Sequence, residues 1–134
     1  MKKISFIIPT LNASLVLEKC LDSIKKQSIP SSDYEIVISD GGSTDNTINI
    51  AKKYNSIIVK NSLKTAEAGK AIGIKKASGK YICLIDSDNI LPDNNWLNQM
   101  LFPLEKDKKI IGSEPIEFTY RPAGGFIERY SSLI

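Results

Sequence analysis

Four short apolar runs, each separated from the next by a stretch patterned for one helix, constrain this chain more than any other feature. The runs are Ile4 to Ile8, Glu35 to Ser39, Ile57 to Lys60 and Tyr81 to Ile85. Their length and β-branched content read as strands. Between them Leu17, Cys20, Leu21 and Ile24 follow helical steps, as do Ile48, Ala51 and Tyr54. A further helix is expected over Ala66 to Ala77, with Gly79 as its stop signal. Asn12 or Ser14 can cap the first helix and Thr44 or Asp45 the second. Trp96, Leu97, Met100 and Leu101 suggest a short fourth helix, and Ile110 to Ser113 a fifth strand. Strands alternating with helices at this spacing make right-handed βαβ units, hence an α/β fold with a mostly parallel central sheet. The Tyr81 to Ile85 run is apolar enough to be a buried strand.

Bulk properties exclude several chemistries. With 134 residues a single domain is the default. The net charge of +3 is small and spread along the chain, and no basic tail or Arg–aromatic alternation points to nucleic acid. Histidine is absent, which rules out a Ser-His-Asp triad, a histidine base or histidine-held zinc within these residues. Any metal would take oxygen ligands, hence Mg²⁺, Mn²⁺ or Ca²⁺. Cys20 and Cys83 are isolated and read as small buried hydrophobes, which fits a reducing cytoplasm. Met1-Lys2-Lys3 begins like a signal peptide, but Asn12 and Glu18 interrupt any apolar core, and no window reaches transmembrane length.

In an open α/β sheet, ligands bind beyond the carboxyl ends of the strands. Three of those ends are polar: "PTLN" after the first strand, "SDGGSTD" after the second and "DSD" after the fourth. On an extended strand, residues two apart share a side, so Asp86 and Asp88 can approach one ligand, with Ser87 between them. Like charges so close either share a proton or recruit a cation. A divalent ion bridging to phosphate oxygens resolves the repulsion, whereas an isolated pair of this kind is more often a plain turn. The two glycines of "DGGSTD" allow a sharp turn and close backbone approach. Asp40, just before them, can accept from a base N–H or a ribose hydroxyl. Neither GxGxxG nor a Walker pattern is present. Lys70 can pair with a diphosphate as a point charge, or stand as a solvated lysine.

Taken as an ordered set, "ISFIIPTLNASLVLEKCLDSIKKQS", "EIVISDGGSTDNT", "GIKKASGKYICLIDSDN" and "LPDNNWL" resemble glycosyltransferase family 2 over residues 3 to about 102. The resemblance implies the Rossmann-like GT-A fold and a donor half that binds a UDP- or GDP-linked sugar. It places Pro9, Thr10, Leu11 and Asn12 along the nucleoside pocket and Asp40 on the base. It gives Asp86 a ribose-side or water-mediated role and Asp88 the direct contact to Mn²⁺ or Mg²⁺. Leu11 stands where the family usually carries an aromatic. Gly69-Lys70-Ala71 stands where many members carry Ala-Arg-Asn, so Lys70 keeps the charge without the bidentate geometry. The family's general base lies in a later, acceptor-binding half. Glu114, Glu117 and Glu128 lie near the end of this chain, and no motif assigns that role to any of them.

The expectation is therefore a nucleotide-sugar-binding core over residues 1–112. Residues 113–134 would begin an acceptor-side segment, with the fold incomplete at its C-terminus. The activity implied is inverting transfer of a sugar to an unidentified acceptor: a glycan, a lipid or a polyprenyl phosphate. No catalytic base is assigned, and without one this stretch alone would be inactive. The alternatives are a nucleotidyltransferase, which normally needs a Gly-rich, Arg/Lys-bearing loop where "PTLNAS" stands, and a nucleotide-binding module without turnover. The expected location is cytoplasmic, at the membrane face if a later part of the parent chain carries an anchor.

Overall fold

The computed structural model describes residues 2–115. Strands β1 (Ile4–Thr10), β2 (Tyr34–Asp40), β3 (Ile57–Lys60) and β4 (Tyr81–Leu84) form one sheet in the order β3-β2-β1-β4, every pair parallel. Helices α1 (Leu17–Lys25), α2 (Thr47–Lys53) and α3 (Ala66–Lys76) are the crossovers. The chain steps from β1 to β2 to β3 in one direction, then returns past β1 to β4. Right-handed crossovers put α1 and α2 on one face and α3 on the other. The reversal leaves a switch point between β1 and β4, at the carboxyl ends of the strands.

β1 lies at the centre and is buried along its whole length. Its alternation is legible in its contacts: Ile7 and Pro9 face α3 and Ser5 the Gly79 turn that follows it, while Ile4, Phe6 and Ile8 point to the opposite side. Pro9 continues the strand rather than closing it. Ile85 donates to the Ile7 carbonyl as the last bond on the β4 side, so Pro9 would aim an N–H where β1 has no neighbour left.

Three expectations change. β4 is an edge strand among the described residues, not a buried one, and its alternation leaves Ile82 and Leu84 41% and 50% exposed. Neither α1 nor α2 has a side-chain cap at its N-cap residue, Val16 and Asn46 respectively; Asn12 and Thr44 are engaged between loops, while Asp45 does serve the start of α2, its Oδ1 accepting from Thr47 N–H at 3.0 Å as Oδ2 accepts from Ser14 N–H. Helix α2 buries Thr47, Ile50 and Ala51 rather than a face through Ile48 and Tyr54. The thiols follow expectation: Cys20 is fully buried and Cys83 partly so, and burial first of all pushes each up to about 12, which keeps both unreactive near neutral pH.

Helix α3 sits unusually close to the sheet because the residues it buries are Gly69 and Gly73. A Cβ on Gly73 would stand 2.3 Å from Cγ2 of Ile7, and one on Gly69 would stand 2.8 Å from Cβ of Pro9. Gly79 makes a third close approach, 2.5 Å from the Ser5 nitrogen. At this amino-end edge Ser5 Oγ and the Ser78 N–H and hydroxyl all donate to Glu35, which ties the α3–β4 turn to β2.

The chain divides into two compact units, with the boundary between Trp96 and Leu97. In the second, α4 (Trp96–Lys106) carries Pro103 within it and buries Leu97 and Leu101. Residues 110–113 form no strand: Ile111 is fully exposed, and the Ser113 hydroxyl bonds back to the Met100 carbonyl at 2.7 Å. Glu117 and Glu128 lie outside the described residues.

Candidate functional site

The loops that follow β1 and β2 are stitched into one surface. Thr10 and Asp40 pair across the two strands, and the Thr10 hydroxyl donates to Asp40 Oδ1 at 2.9 Å. The Ser43 hydroxyl donates to the same oxygen at 2.5 Å, while the Gly42 and Ser43 N–H groups donate to Oδ2, each at 2.8 Å. Gly42, at φ 95°, supplies the turn that aims both amides back at the carboxylate. Further along, Asn12 N–H donates to Ser43 Oγ, Ala13 N–H to Thr47 Oγ1 and Ser14 N–H to Asp45 Oδ2, while Asn12 Oδ1 accepts from Thr44 N–H. Asn12 takes the left-handed conformation, φ 51°, which asparagine tolerates better than most residues.

The loop after β3 joins through Asn61, only 2% exposed, whose N–H donates to the Asp40 carbonyl. Its side-chain amide donates to the Thr65 carbonyl and its oxygen accepts from Lys64 N–H, setting Thr65 as the N-cap of α3. The glycine contacts of α3 then carry Lys70 to the carboxyl end of β4. There Lys70 Nζ meets Asp86 Oδ1 at 2.8 Å.

Asp86 to Asn89 is a turn, not the extended continuation of β4 that the alternation argument assumed. Asn89 N–H donates to the Asp86 carbonyl at 3.0 Å, and Asn89 Oδ1 accepts from Asp86 N–H at 3.1 Å. Asp86 and Asp88 are both exposed, with Ser87 partly buried between them. Cys20 lies beneath the turn, its thiol 3.8 Å from the Asp86 carbonyl. After burial, the charges of Asp88 and Asp86 are among the causes that raise this thiol, so both carboxylates act on one locality.

Of the residues singled out in the sequence, Thr10 bonds Asp40, Lys70 pairs with Asp86, Pro9 lies against Gly69 of α3, and Asn12 bonds Ser43 and Thr44. Leu11 is 46% exposed at the loop surface, with Cδ1 over Gly41. The stitching residues Ser43, Asp45, Thr47 and Asn61 were missed as site-builders. Their signal was the dense Ser/Thr/Asp/Asn run, which reads equally well as a helix cap.

Electrostatics follow from the donors. Burial works to raise the Asp40 carboxyl, and the bonds from Ser43, Thr10 and Gly42 outweigh it, holding it below the usual range. Burial is likewise outweighed at Glu35 by Ser5, Ser78 and the Lys2 charge. Ser14 and Thr47 hold Asp45 low. A carboxylate depressed in the folded state contributes stability that is complete above its unfolded pKa, about 4, and is lost as pH falls through the folded value. Urea midpoints should therefore stay level from pH 7 to about 5 and fall steeply below about 4. Equal midpoints at pH 3 and pH 7 would remove these three carboxylates as stabilising groups.

The donor chemistry suits a divalent ion. Among the described residues no group of three or more His, Cys, Asp or Glu gathers to enclose a metal, and the Asp86–Asp88 turn offers two carboxylates. That is the donor set of an ion that completes its shell with phosphate and water. Asp86 already attracts a cation, the Lys70 ammonium.

Comparison with known proteins gives the same picture. The chain is 30% identical over 136 residues to glycosyltransferase AglE of Haloferax volcanii, covering 97% of this chain and 44% of AglE. Its fold matches Staphylococcus aureus TarS 1-349 in complex with UDP, with TM-score 0.67 and 27% identity over 77% of this chain and 32% of that one. It also matches Mycobacterium tuberculosis glucosyl-3-phosphoglycerate synthase bound to Mn²⁺, UDP and glucosyl-3-phosphoglycerate, with TM-score 0.63 and 27% identity over 81% and 42%. The chain thus spans less than half the length of each of these proteins. The GT-A fold expected from the resemblance is the one observed, with its parallel sheet and flanking helices. The family model described as glycosyl transferase family 2 matches residues 5–122, and the chain belongs to that family.

Proposed function

We propose that this chain is the donor-binding part of an inverting glycosyltransferase that takes its sugar from a nucleoside diphosphate. The observation that carries the reading is that two polar groups stand at the carboxyl ends of adjacent parallel strands: the Thr10–Asp40 loops at β1 and β2, and the Lys70–Asp86 pair beside the switch point of β1 and β4. Pro9 to Asn12 and Asp40 form the nucleoside side. Lys70 faces the diphosphate, Asp86 serves the ribose side and Asp88 holds Mn²⁺ or Mg²⁺. When bound, the ion supplies positive charge that stabilises the departing diphosphate. The chain's own part is to orient the donor: the stitched loops fix the nucleoside, and Lys70 adds a mobile charge. The acceptor, a glycan, lipid or polyprenyl phosphate, and the general base belong to a segment beginning near residue 113.

Mn²⁺ and UDP in the matching structures make UDP the first nucleotide to try. Family membership favours glycosyl over nucleotidyl transfer. A cytoplasmic site of action fits the two free thiols. No helix among the described residues is long and apolar enough to cross a membrane.

Calorimetry with UDP and GDP tests the nucleoside assignment. Asp40→Ala leaves the donors of Thr10, Gly42 and Ser43 without their acceptor and removes the group assigned to the base. Nucleotide binding should weaken by about 1–3 kcal/mol, the scale of a lost charged hydrogen bond. Wild-type affinity in the variant would overturn the placement of the base.

A further inference from the structure

The two carboxylates of the Asp86–Asp88 turn are unequal before any ligand arrives. Asp86 is in an ion pair with Lys70 at 2.8 Å, whereas Asp88 makes no ion pair or side-chain hydrogen bond among the described residues. The geometry points to Lys70 as a built-in counter-ion of Asp86, one that a divalent cation must displace and that the donor diphosphate draws away. This rests on the donor-binding reading above and says how its charges are exchanged.

Three features support it. The pair is partly exposed, with side chains 31% and 54% accessible, so water screens it and it is readily exchanged. The reach of Lys70 is set from below: Gly69 and Gly73 hold α3 against Pro9 and Ile7, so the ammonium is delivered to the turn without a rearrangement of the helix. Its stem is four flexible carbons carrying a compact charge, which can move from a carboxylate to a phosphate oxygen nearby.

The consequence is an opposition between two ligands. A divalent cation alone meets one open carboxylate, one already neutralised, and a neighbouring ammonium that repels it. A diphosphate alone gains the ammonium. Removing Lys70 should therefore strengthen one interaction and weaken the other, whereas a structural lysine would weaken both or neither.

The test uses the full chain, wild type and Lys70→Met, with Lys70→Arg as the charge-keeping control and circular dichroism as the check on folding. Mn²⁺ is titrated alone, followed by the paramagnetic signal of the free ion, and UDP is titrated calorimetrically in EDTA. Lys70→Met should bind Mn²⁺ about fivefold or more tightly and UDP about fivefold or more weakly, the low end of ordinary coupling between sites. Lys70→Arg should follow the wild type for Mn²⁺. Weaker UDP binding with unchanged Mn²⁺ binding would make Lys70 a plain phosphate ligand and overturn the counter-ion role. Changes of the same sign, or none, would overturn it too, and in each case UDP binding by the wild type leaves the donor reading standing. If the wild type binds neither UDP nor GDP, with or without Mn²⁺, the donor reading itself fails and takes this inference with it.

Discussion

Asp88→Asn should abolish the tightening of nucleotide binding by Mn²⁺ and leave the fold intact. The side chain is exposed in the turn and holds no hydrogen bond or ion pair among the described residues, so nothing structural depends on its charge. Asparagine keeps the shape but loses a charged oxygen ligand, and the ion has few protein ligands to spare. Asp86→Asn should do less, because Lys70 already neutralises that carboxylate and the amide oxygen can still accept from the ammonium. UDP titrations with and without Mn²⁺ on the three proteins decide it. A full metal effect in Asp88→Asn would reduce the turn to a polar strand end, and the metal assignment would have to be withdrawn.

Gly73→Ala should destabilise the chain by about 1–3 kcal/mol, the usual cost of overpacking a tight core. The added methyl would lie 2.3 Å from Ile7 Cγ2 and 2.9 Å from Ser39 Oγ, and Ile7 is fully buried in the central strand, so neither neighbour can swing away cheaply. Alanine's better helix propensity offsets at most about 1 kcal/mol. The same change should lift α3 from the sheet and weaken the Lys70–Asp86 pair. Urea denaturation measures the first effect. A stability equal to wild type would mean that α3 does not hold its close position in solution.

The alternation of apolar runs with helical stretches was enough for the sheet, because parallel strands at a sheet's centre must be apolar and βαβ units have one hand. Strand direction alone puts the candidate carboxylates Asp40 and Asp86 at one end of the sheet, whereas Lys70 reaches Asp86 from helix α3. What stayed hidden has physical causes. Helix α3 buries glycines, so its contact face carries no apolar signal at all. The exposure of Ile82 and Leu84 depends on the order of strands, which local pattern does not encode. The Asp86–Asn89 turn forms because Asn89 competes for the Asp86 amide, and one asparagine among polar neighbours does not announce which amide it takes. Asn12 was read as a helix cap for the same reason, and its oxygen went instead to Thr44, thirty-two residues away in sequence.

That last contact has a bearing on how the molecule comes together in time. The bonds from Asn12, Ala13 and Ser14 to Ser43, Thr47 and Asp45 each span 31 to 34 residues, and the Thr10–Asp40 bond spans 30. None can exist in a chain whose first two strands have not yet paired, and pairing them means closing a loop that contains a whole helix. The loop surface proposed for the nucleoside is therefore a product of late, non-local assembly, the kind of contact that slows folding. Nucleotide has no purchase on the unpaired chain. Bound as proposed, it would act as a brake on opening, adding stability that grows with the logarithm of its concentration. In a cell poor in donor, the first two strands would come apart more often, so the substrate supply would set how long the empty chain survives proteolysis.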